Sequence, residues 1–550
     1  MMSPLSRVQR VTTVCSQANT ARAKNELNLI ETDTNRGQPA LKTAIACLES
    51  RFGYARHKEH YGLLILLTVA LAALLQNLSS GSLPTFDDTT YALISKTIVR
   101  TGGWFTMRWL GVPYFYSGKP PLGFWFNAVF YKFFGISEFT SRLSATIHGI
   151  VGLVVVYCIG SLYSRRVGLI ASAFLLSFPD YFRLSQSAML EIPLAVYISL
   201  SMLFYLFTFE KQSTHWYCLS GISIGLAIMT KGLTGLIPLL VIGVFHLVER
   251  QPRVLFTRAF ALLLTSAATV ALPWHLLQYA LWGSAFLTKY LFATLSWVAF
   301  NTLVPAQRSS PGFYLQTLYA NDRIHLIVFL ASLPLLVMHA LRKNRTSAFL
   351  LTFIMFVFIL FTSFKTRMAW HIAPIFPGMA VSSALLLSKL QDVRKMRPIV
   401  SLMLAAVFIY SMATLWKSDH WYIRGNPDLK RIVLDFKAKS SGNDVLFSYG
   451  IAEAVNSGPF YGDRKVVILT NSKEDIRVQN TIGGDYLQAG LIHFVVDEDD
   501  LIRFVCSTRD RHVIFPTDVY KGLSKKQHPL EADIVAEKGS LVIGRLLCTK

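Results

Sequence analysis

Charge is what this 550-residue chain has least of. Asp, Glu, Lys and Arg make up 16% of it, against an apolar share of 52%. Soluble domains carry roughly 25% charged residues. A water-soluble protein of this length cannot cover its surface with so few, and the mean hydropathy of +0.41 points the same way. Cysteine is sparse and unpatterned. Cys15, Cys47, Cys158, Cys218, Cys506 and Cys548 form no CxxC and no His/Cys ligand spacing, which argues against a zinc site. Cys158 and Cys218 lie in or beside apolar runs and read as packing residues. Cys506 and Cys548, in the tail, leave a disulfide open. A P-loop, a Rossmann fingerprint and a GxSxG elbow are also missing, so nucleotide hydrolysis and serine-hydrolase chemistry lose support. Disordered, collagen-like and disulfide-scaffold classes do not fit this composition over most of the chain. What remains is a polytopic membrane protein.

The 54 basic residues against 32 acidic ones suggest a nucleic-acid groove until their distribution is read. From Lys417 onward there are 19 basic and 18 acidic residues, so nearly all of the net +22 lies in residues 1–416, much of it in short clusters between apolar runs. Residues 1–60 are polar and lack the apolar core of a signal peptide. They read as a largely disordered cytoplasmic extension, and the first apolar run as an uncleaved anchor. Candidate spans begin near Tyr61, Thr146, Val167, Leu190, Trp216, Leu233, Phe256, His325, Ala348, Ile372 and Ile399. Two more can hide in 121–136 and 284–304, giving about 11–13 transmembrane helices. With the N-terminus inside, the inner loops hold Arg165-Arg166, Lys211, Arg250/Arg253/Arg258, Arg342/Lys343/Arg345 and Arg394/Lys395/Arg397. Every compact basic cluster between spans then falls on one side, which predicts an N-inside, C-outside topology.

Residues 61–416 are thus expected to form a transmembrane domain with outer loops at 79–145 and 275–324. Within the first loop, PLGFWFNAVFYKFFG (121–135) suits an interfacial amphipathic helix. Residues 417–550 differ in composition. Asn426-Pro427 opens a helix whose Leu429, Ile432, Val433 and Phe436 recur at helical spacing. The short apolar runs 445–450, 465–470, 491–498, 512–516 and 541–547 read as strands. The expected fold is a polytopic α-helical membrane protein with a C-terminal soluble α/β domain outside the membrane.

Five places set charge against apolar sequence, where it costs roughly 2.5–3.5 kcal/mol at mid-bilayer. In TFDDTTYA (85–92), Asp87 and Asp88 can accept a proton, hold a divalent cation, or cap the helix running through Tyr91 to Val99. In SGKPPLGFW (117–125), Lys119 precedes two prolines that hold its backbone extended. Its ammonium suits a lipid phosphate, or snorkels to the headgroups. Lys231 in IMTKGLTG (228–235) falls at the tip of an outer hairpin, an unusual place for lysine without an anion to meet. Lys365 and Arg367 lie outside, against the charge rule, with His371 one helical turn along. Glu191 stands at the outer end of the fourth span, as a solvated helix end or a functional carboxylate. The loop-charge topology puts all five on one face. Carboxylates and cations facing a headgroup layer fit transfer chemistry on a phosphate-linked lipid. No resident cofactor is expected.

The block FDDTTYALISKTIVRTGGWFTMRWLGVPYFYSGKPPLGFWFNAVFYKFFGISEFTSRLSA (86–145) resembles the opening signature of the ArnT-like and protein O-mannosyltransferase-like GT-C glycosyltransferases. That signature falls here on Asp87, Asp88, Tyr91, Gly102, Trp104, Lys119-Pro120-Pro121-Leu122, Trp125, Phe134-Gly135 and Arg142. The likeness continues through MTKG (229–232), LPWHL (272–276) and HIAPIFPG (371–378). It implies a polyprenyl-phosphate sugar donor, an extracytoplasmic site, and inversion at the sugar. It makes Asp87 the catalytic carboxylate, with Asp88 beside it, and Lys119 a donor-phosphate ligand. Lys231, Lys365 and Arg367 stand as further phosphate ligands, and Tyr91, Trp125, Glu191 and His371 as substrate contacts. Aminoarabinose transferases of this family carry Arg where Thr90 stands and Tyr where His371 stands. They also carry a Glu-His pair that residues 286–300 lack. The implied protein is a multi-pass bacterial inner-membrane enzyme acting on a lipid, glycan or protein acceptor, surrounded by membrane lipids and binding no nucleic acid. A transporter or flippase for lipid-linked sugars is the competing class, but it needs charge near mid-bilayer on broken helices. An inactive scaffold whose tail binds an envelope partner is a third reading.

Overall fold

The computed structural model describes residues 61–84, 87–115, 119–210, 213–293, 295, 309–417, 420–451, 453–470, 490–506, 511–525 and 530–548. The extension expected over 1–60 lies outside them, as do Lys211 and the side chains of Cys506 and Cys548. Two compact units divide the chain, one ending at Thr68 and one running from Val69. The site and both layers of structure around it belong to the second.

Helix α1 (Tyr61–Leu75) is short and apolar. The segment after it builds α2 (Asp87–Thr101), a tight antiparallel hairpin of β1 (Arg108–Trp109) and β2 (Val112–Pro113), and α3 (Leu122–Phe134). The membrane region continues with α4 (Glu138–Ser161), α5 (Arg165–Leu176), α6 (Pro179–Ser185), α7 (Glu191–Glu210), α8 (His215–Lys231), α9 (Ile237–Val248) and α10 (Arg258–Phe286). It closes with α11 (Phe313–Asn321), α12 (Arg323–Leu341), α13 (Arg345–Ser363), α14 (Phe376–Asp392) and α15 (Arg397–Lys417). Among the described residues, eight helical stretches are long and apolar enough to cross a membrane, or nine if α5 and α6, bent by 71°, make one span. Leu272 and Leu276 on α10, Ile327 and Leu330 on α12, and Ile399, Leu402 and Ile409 on α15 are exposed. Such apolar faces need hydrocarbon rather than water against them. Helix α14 is the opposite case: Met379, Ala380, Val381, Ser383 and Ala384 are all inaccessible. Its small residues let neighbours approach closely, and Ser382 shares a 2.7 Å hydrogen bond with Ser332 of α12.

The chain breaks after α8. Gly232 takes φ +53°, and a Cβ built on Gly235 would collide with the backbone of Ala227 and Ile228. The chain therefore folds back on itself at Lys231, and only glycine fits both positions.

Beyond α15 lie α16 (Pro427–Lys439), β3 (Leu446–Tyr449), α17 (Ala454–Ser457), β4 (Val466–Thr470), β5 (Ile492–Phe494), α18 (Glu498–Cys506), β6 (Arg511–Pro516), α19 (Thr517–Lys525), β7 (Leu530–Lys538) and β8 (Leu541–Cys548). Asn426 caps α16 by accepting from the Leu429 N–H at 3.0 Å. The sheet order is β5-β4-β3-β6-β8-β7, with β5, β4, β3 and β6 parallel and β8 and β7 antiparallel. Parallel strands are buried on both faces, so alternate residues divide between two cores. Leu446, Val466 and Ile514 meet Leu429, Ile432, Val433 and Phe436 of α16. Val467, Val513 and Phe515 meet Leu501 on the other side. This is the α/β domain expected at the C-terminus. It gains one strand, β7, whose sequence LEADIVAEK shows no apolar run because it lies at the sheet edge.

Candidate active site

Helix α2 is amphipathic rather than membrane-spanning. Tyr91, Ile94 and Ile98, spaced to share a face, pack on Phe124 and Ala128 of α3, on Met107 and on Leu190. The acidic pair opens it, where the helix dipole favours negative charge. Three successive residues then tie its first turn in three directions. Asp88 Oδ1 accepts from the Ala188 N–H at 2.7 Å, fixing α2 to the approach of α7. The Thr89 hydroxyl donates to the Pro84 carbonyl at 2.5 Å. The Thr90 hydroxyl accepts from Asn456 Nδ2 at 2.9 Å, across to α17 of the C-terminal domain.

Asp87 is the acid left facing outward. Its side chain is 32% exposed, and Lys119 Nζ stands 3.5 Å from its Oδ1 while itself 10% exposed. That separation is an ion pair but a long hydrogen bond. The Lys119 ammonium also lies 4.5 Å from the centroid of the Tyr91 ring, which is fully buried and edge-on to Phe124. Burial, with Asp87 adding to it, holds the Tyr91 phenol well above its ordinary range. Burial likewise pushes Asp88 up to about 7, although the Ala188 N–H and the Arg142 charge pull the other way.

Glu191 opens α7 and Lys231 ends α8, each at the helix terminus its charge favours. Lys231 Nζ donates to Glu191 Oε1, and Glu191 Oε2, fully buried, has no hydrogen-bond partner among the described residues. His371 lies in the 3-10 turn Ala369–Ile375 that packs beside α7. Its ring stacks on Phe361, within electrostatic reach of Lys231 and Lys119. Asp87, Tyr91, Lys119, Glu191, Lys231 and His371 therefore form one neighbourhood.

Four other expected residues are placed differently. Asp88 is neither a helix cap nor half of a two-carboxylate cation site, because adjacent helix positions point about 100° apart and its oxygen already serves Ala188. Among the described residues, no three His, Cys, Asp or Glu side chains converge as metal ligands. Arg367 is not free for phosphate: it donates to the Ser309 carbonyl and, through Nε at 3.2 Å and Nη2 at 2.7 Å, to the Thr362 carbonyl. It closes its own loop. Lys365 is exposed, with no ion pair among the described residues. Trp125 packs beside Tyr91 and donates its indole N–H to the Trp104 carbonyl at 2.6 Å, so it shapes the loop.

Arg142, part of the signature, is fully buried and donates to the carbonyls of Leu78, Ser80, Ser82 and Ile423 at 2.7–3.1 Å. It gathers the loop ahead of α2. Three anchoring residues carry no sequence signal of their kind: Asn456, Lys96 and Asp463. Lys96 donates to the carbonyls of Pro459 and Phe460 and to Asp463 Oδ1 at 2.8, 2.5 and 2.6 Å. Burial lowers its ammonium, and Asp463, held by Lys437, Lys96 and Arg100 below the usual carboxylate range despite partial burial, offsets this.

Residues 118–276 match the profile of a family described as dolichyl-phosphate-mannose-protein mannosyltransferase. The chain is 26% identical over 315 residues to the undecaprenyl phosphate-alpha-4-amino-4-deoxy-L-arabinose arabinosyl transferase of Yersinia pestis, covering 54% of each. It is 28% identical over 314 residues to the protein of that name from Aeromonas salmonicida, again covering 54% of each. It thus spans about half the length of the curated relatives it matches. Among solved structures, ArnT from Cupriavidus metallidurans bound to undecaprenyl phosphate superposes with a TM-score of 0.73 at 18% identity, over 88% of this chain and 97% of that one. The apo form gives 0.71 over the same shares. From the helices through the C-terminal sheet, the chain has the fold of the ArnT-like GT-C membrane glycosyltransferases, the family its 86–145 block resembles.

Proposed function

We propose that this chain is an integral-membrane glycosyltransferase. It moves a sugar from a polyprenyl-phosphate donor to a lipid, glycan or protein acceptor at the outer face of a bacterial inner membrane, inverting the sugar carbon. The observation that carries this reading is the Asp87–Lys119 pair, a part-exposed carboxylate 3.5 Å from a largely buried ammonium. Asp87 takes the proton of an acceptor hydroxyl as that oxygen bonds to the anomeric carbon. The bond from that carbon to the phosphate oxygen breaks on the opposite face. Its electron pair leaves on the polyprenyl phosphate, where Lys119 meets the added negative charge. With an anionic phosphate acceptor no proton moves, and Asp87 orients it instead.

Glu191 Oε2 suits a hydroxyl or amine of the sugar, with Lys231 holding the carboxylate in place and His371 beside it. The names of the matched relatives, and the undecaprenyl phosphate in the matched crystal structure, support a lipid-phosphate donor. The departures at Thr90 and His371 support a sugar or acceptor other than the aminoarabinose–lipid A pair. The test is transfer from a polyprenyl-phosphate-linked sugar by purified protein in lipid nanodiscs. Asp87→Asn is expected to lose about 10²–10⁴-fold in turnover with the fold retained. Near-wild-type turnover in that variant would overturn the assignment.

A further inference from the structure

We propose that Asn456 of the C-terminal domain is a positioning residue for the transfer site: it locks the first turn of α2 to the β1–β2 hairpin, so that the C-terminal domain sets where Asp87 and Lys119 stand. The proposal rests on the reading of that pair as the reacting centre. Asn456 is 6% exposed. Its Oδ1 accepts from Trp109 Nε1 at 2.7 Å and its Nδ2 donates to Thr90 Oγ1 at 2.9 Å. An indole nitrogen can only donate, so the amide has one orientation that satisfies both ends.

The two partners belong to the two limbs of the site. Thr90 is three residues after Asp87 and next to Tyr91, whose ring carries the Lys119 ammonium. Trp109 lies in the hairpin whose continuation runs through Tyr114, packed with Tyr91, towards Lys119. One side chain 366 residues from Thr90 therefore couples the carboxylate limb to the ammonium limb. The hairpin is seated on the same domain: Trp109, Leu110 and Val112 pack on Ile468, Leu491 and Ile492. The segment after Asn456 is pinned a second time, by Lys96 at Pro459, Phe460 and Asp463. A buried amide of this kind costs free energy unless both ends are bonded, so its two bonds hold the limbs in one relative placement.

The test uses full-length protein in nanodiscs with a polyprenyl-phosphate-linked sugar. Asn456→Ala and Thr90→Val are each expected to lower kcat by about 10–100-fold, as a misplacement near 1 Å does. The donor KM should stay within about twofold, because Lys119 keeps its seat on the Tyr91 ring and still meets the phosphate, while its placement relative to Asp87 is what is lost. The double variant should be no worse than the worse single one, since both remove the same bond. Thr90→Ser, which keeps the hydroxyl, should recover most of the loss. Trp109→Phe, which keeps an aromatic ring but loses the indole N–H together with part of the ring's bulk, provides a second route should Asn456→Ala fail to fold. Hydrogen–deuterium exchange at residues 88–91 and 106–115 should quicken in Asn456→Ala. Unchanged kcat in Asn456→Ala or in Trp109→Phe, or fully additive losses, would overturn the proposal. Should the wild-type protein transfer no sugar, the transferase reading fails by itself. The exchange measurement then decides on positioning, and unchanged exchange at both segments would end it.

Discussion

Asp87 and Asp88 are adjacent in the chain and opposite in circumstance. One is part-exposed and faces Lys119; the other is sealed against α7 and raised to about 7 by burial. A folded-state value above the unfolded one means that the native protein binds the proton more tightly. Stability from this group is therefore present below about pH 4 and is lost as pH rises through about 7. Asn at 88 keeps an oxygen for the Ala188 N–H and cannot ionise. The stability of Asp88→Asn relative to wild type is expected to grow between about pH 4 and 7 and to level off above, which thermal unfolding across that range would reveal. A pH-independent difference would contradict the burial argument. Glu191 and Lys231 make a complementary case, since removing one partner of a buried pair leaves an uncompensated charge. Lys231→Met is expected to cost about 3–5 kcal/mol, and adding Glu191→Gln to restore part of it, read from melting in detergent. Legibility at this scale followed chemistry that is local in sequence. Lys119 announces itself through the two prolines after it, and the acidic pair through its place beyond an apolar run. Arg367 was conspicuous for the same reason, a cation on the wrong side, yet its fork serves carbonyl groups of Ser309 and Thr362. Asn456 offers no cue, because its meaning lies in partners far away along the chain.

Helix ends tell where elements begin more clearly than hydropathy does. Ser164, Thr257 and Asn344 each cap a helix, at α5, α10 and α13, and each is followed by arginine. Arginine at a helix N-terminus opposes the dipole by about 0.3–1 kcal/mol, so its repetition there answers to the membrane side rather than to the helix. The break after α8 was legible from a Lys-Gly pair between apolar runs; its tightness was not, because it depends on the backbone of Ala227 and Ile228 lying against Gly235. Gly235→Ala should strongly reduce the yield of folded protein in size-exclusion profiles. Gly243→Ala, in α9 with open space around the added methyl, should not. Equal behaviour of the two would remove the close-approach argument. The strand β7 has no apolar run in the sequence for an edge reason: a strand with one exposed side need not be apolar.

At the scale of the whole molecule, the membrane region and the C-terminal domain meet at the site rather than away from it. Asn456, Lys96 and the Lys430–Glu138 ion pair all join the two near α2 and the start of α4. The site must then be on whichever side of the membrane holds the C-terminal domain, and the basic loops are what decide that side. Arg165-Arg166, Arg250/Arg253/Arg258, Arg342/Lys343/Arg345 and Arg394/Lys395/Arg397 all fall at helix starts or in the connections before them, and Arg166–Asp392, Tyr163–Ser347 and Arg345 against Phe209 bring several of these connections together. Retention of such clusters in the cytoplasm orients multi-pass proteins. Single cysteines introduced at 342–345 are accordingly expected to resist an impermeant maleimide in intact cells and to react only after permeabilisation. Cysteines placed at exposed positions of α16, such as Leu434, should react without it. Labelling in the reverse pattern would put α2, Lys119 and the C-terminal domain together in the cytoplasm. It would remove the outward-facing donor from the proposed reaction while leaving the fold as it is.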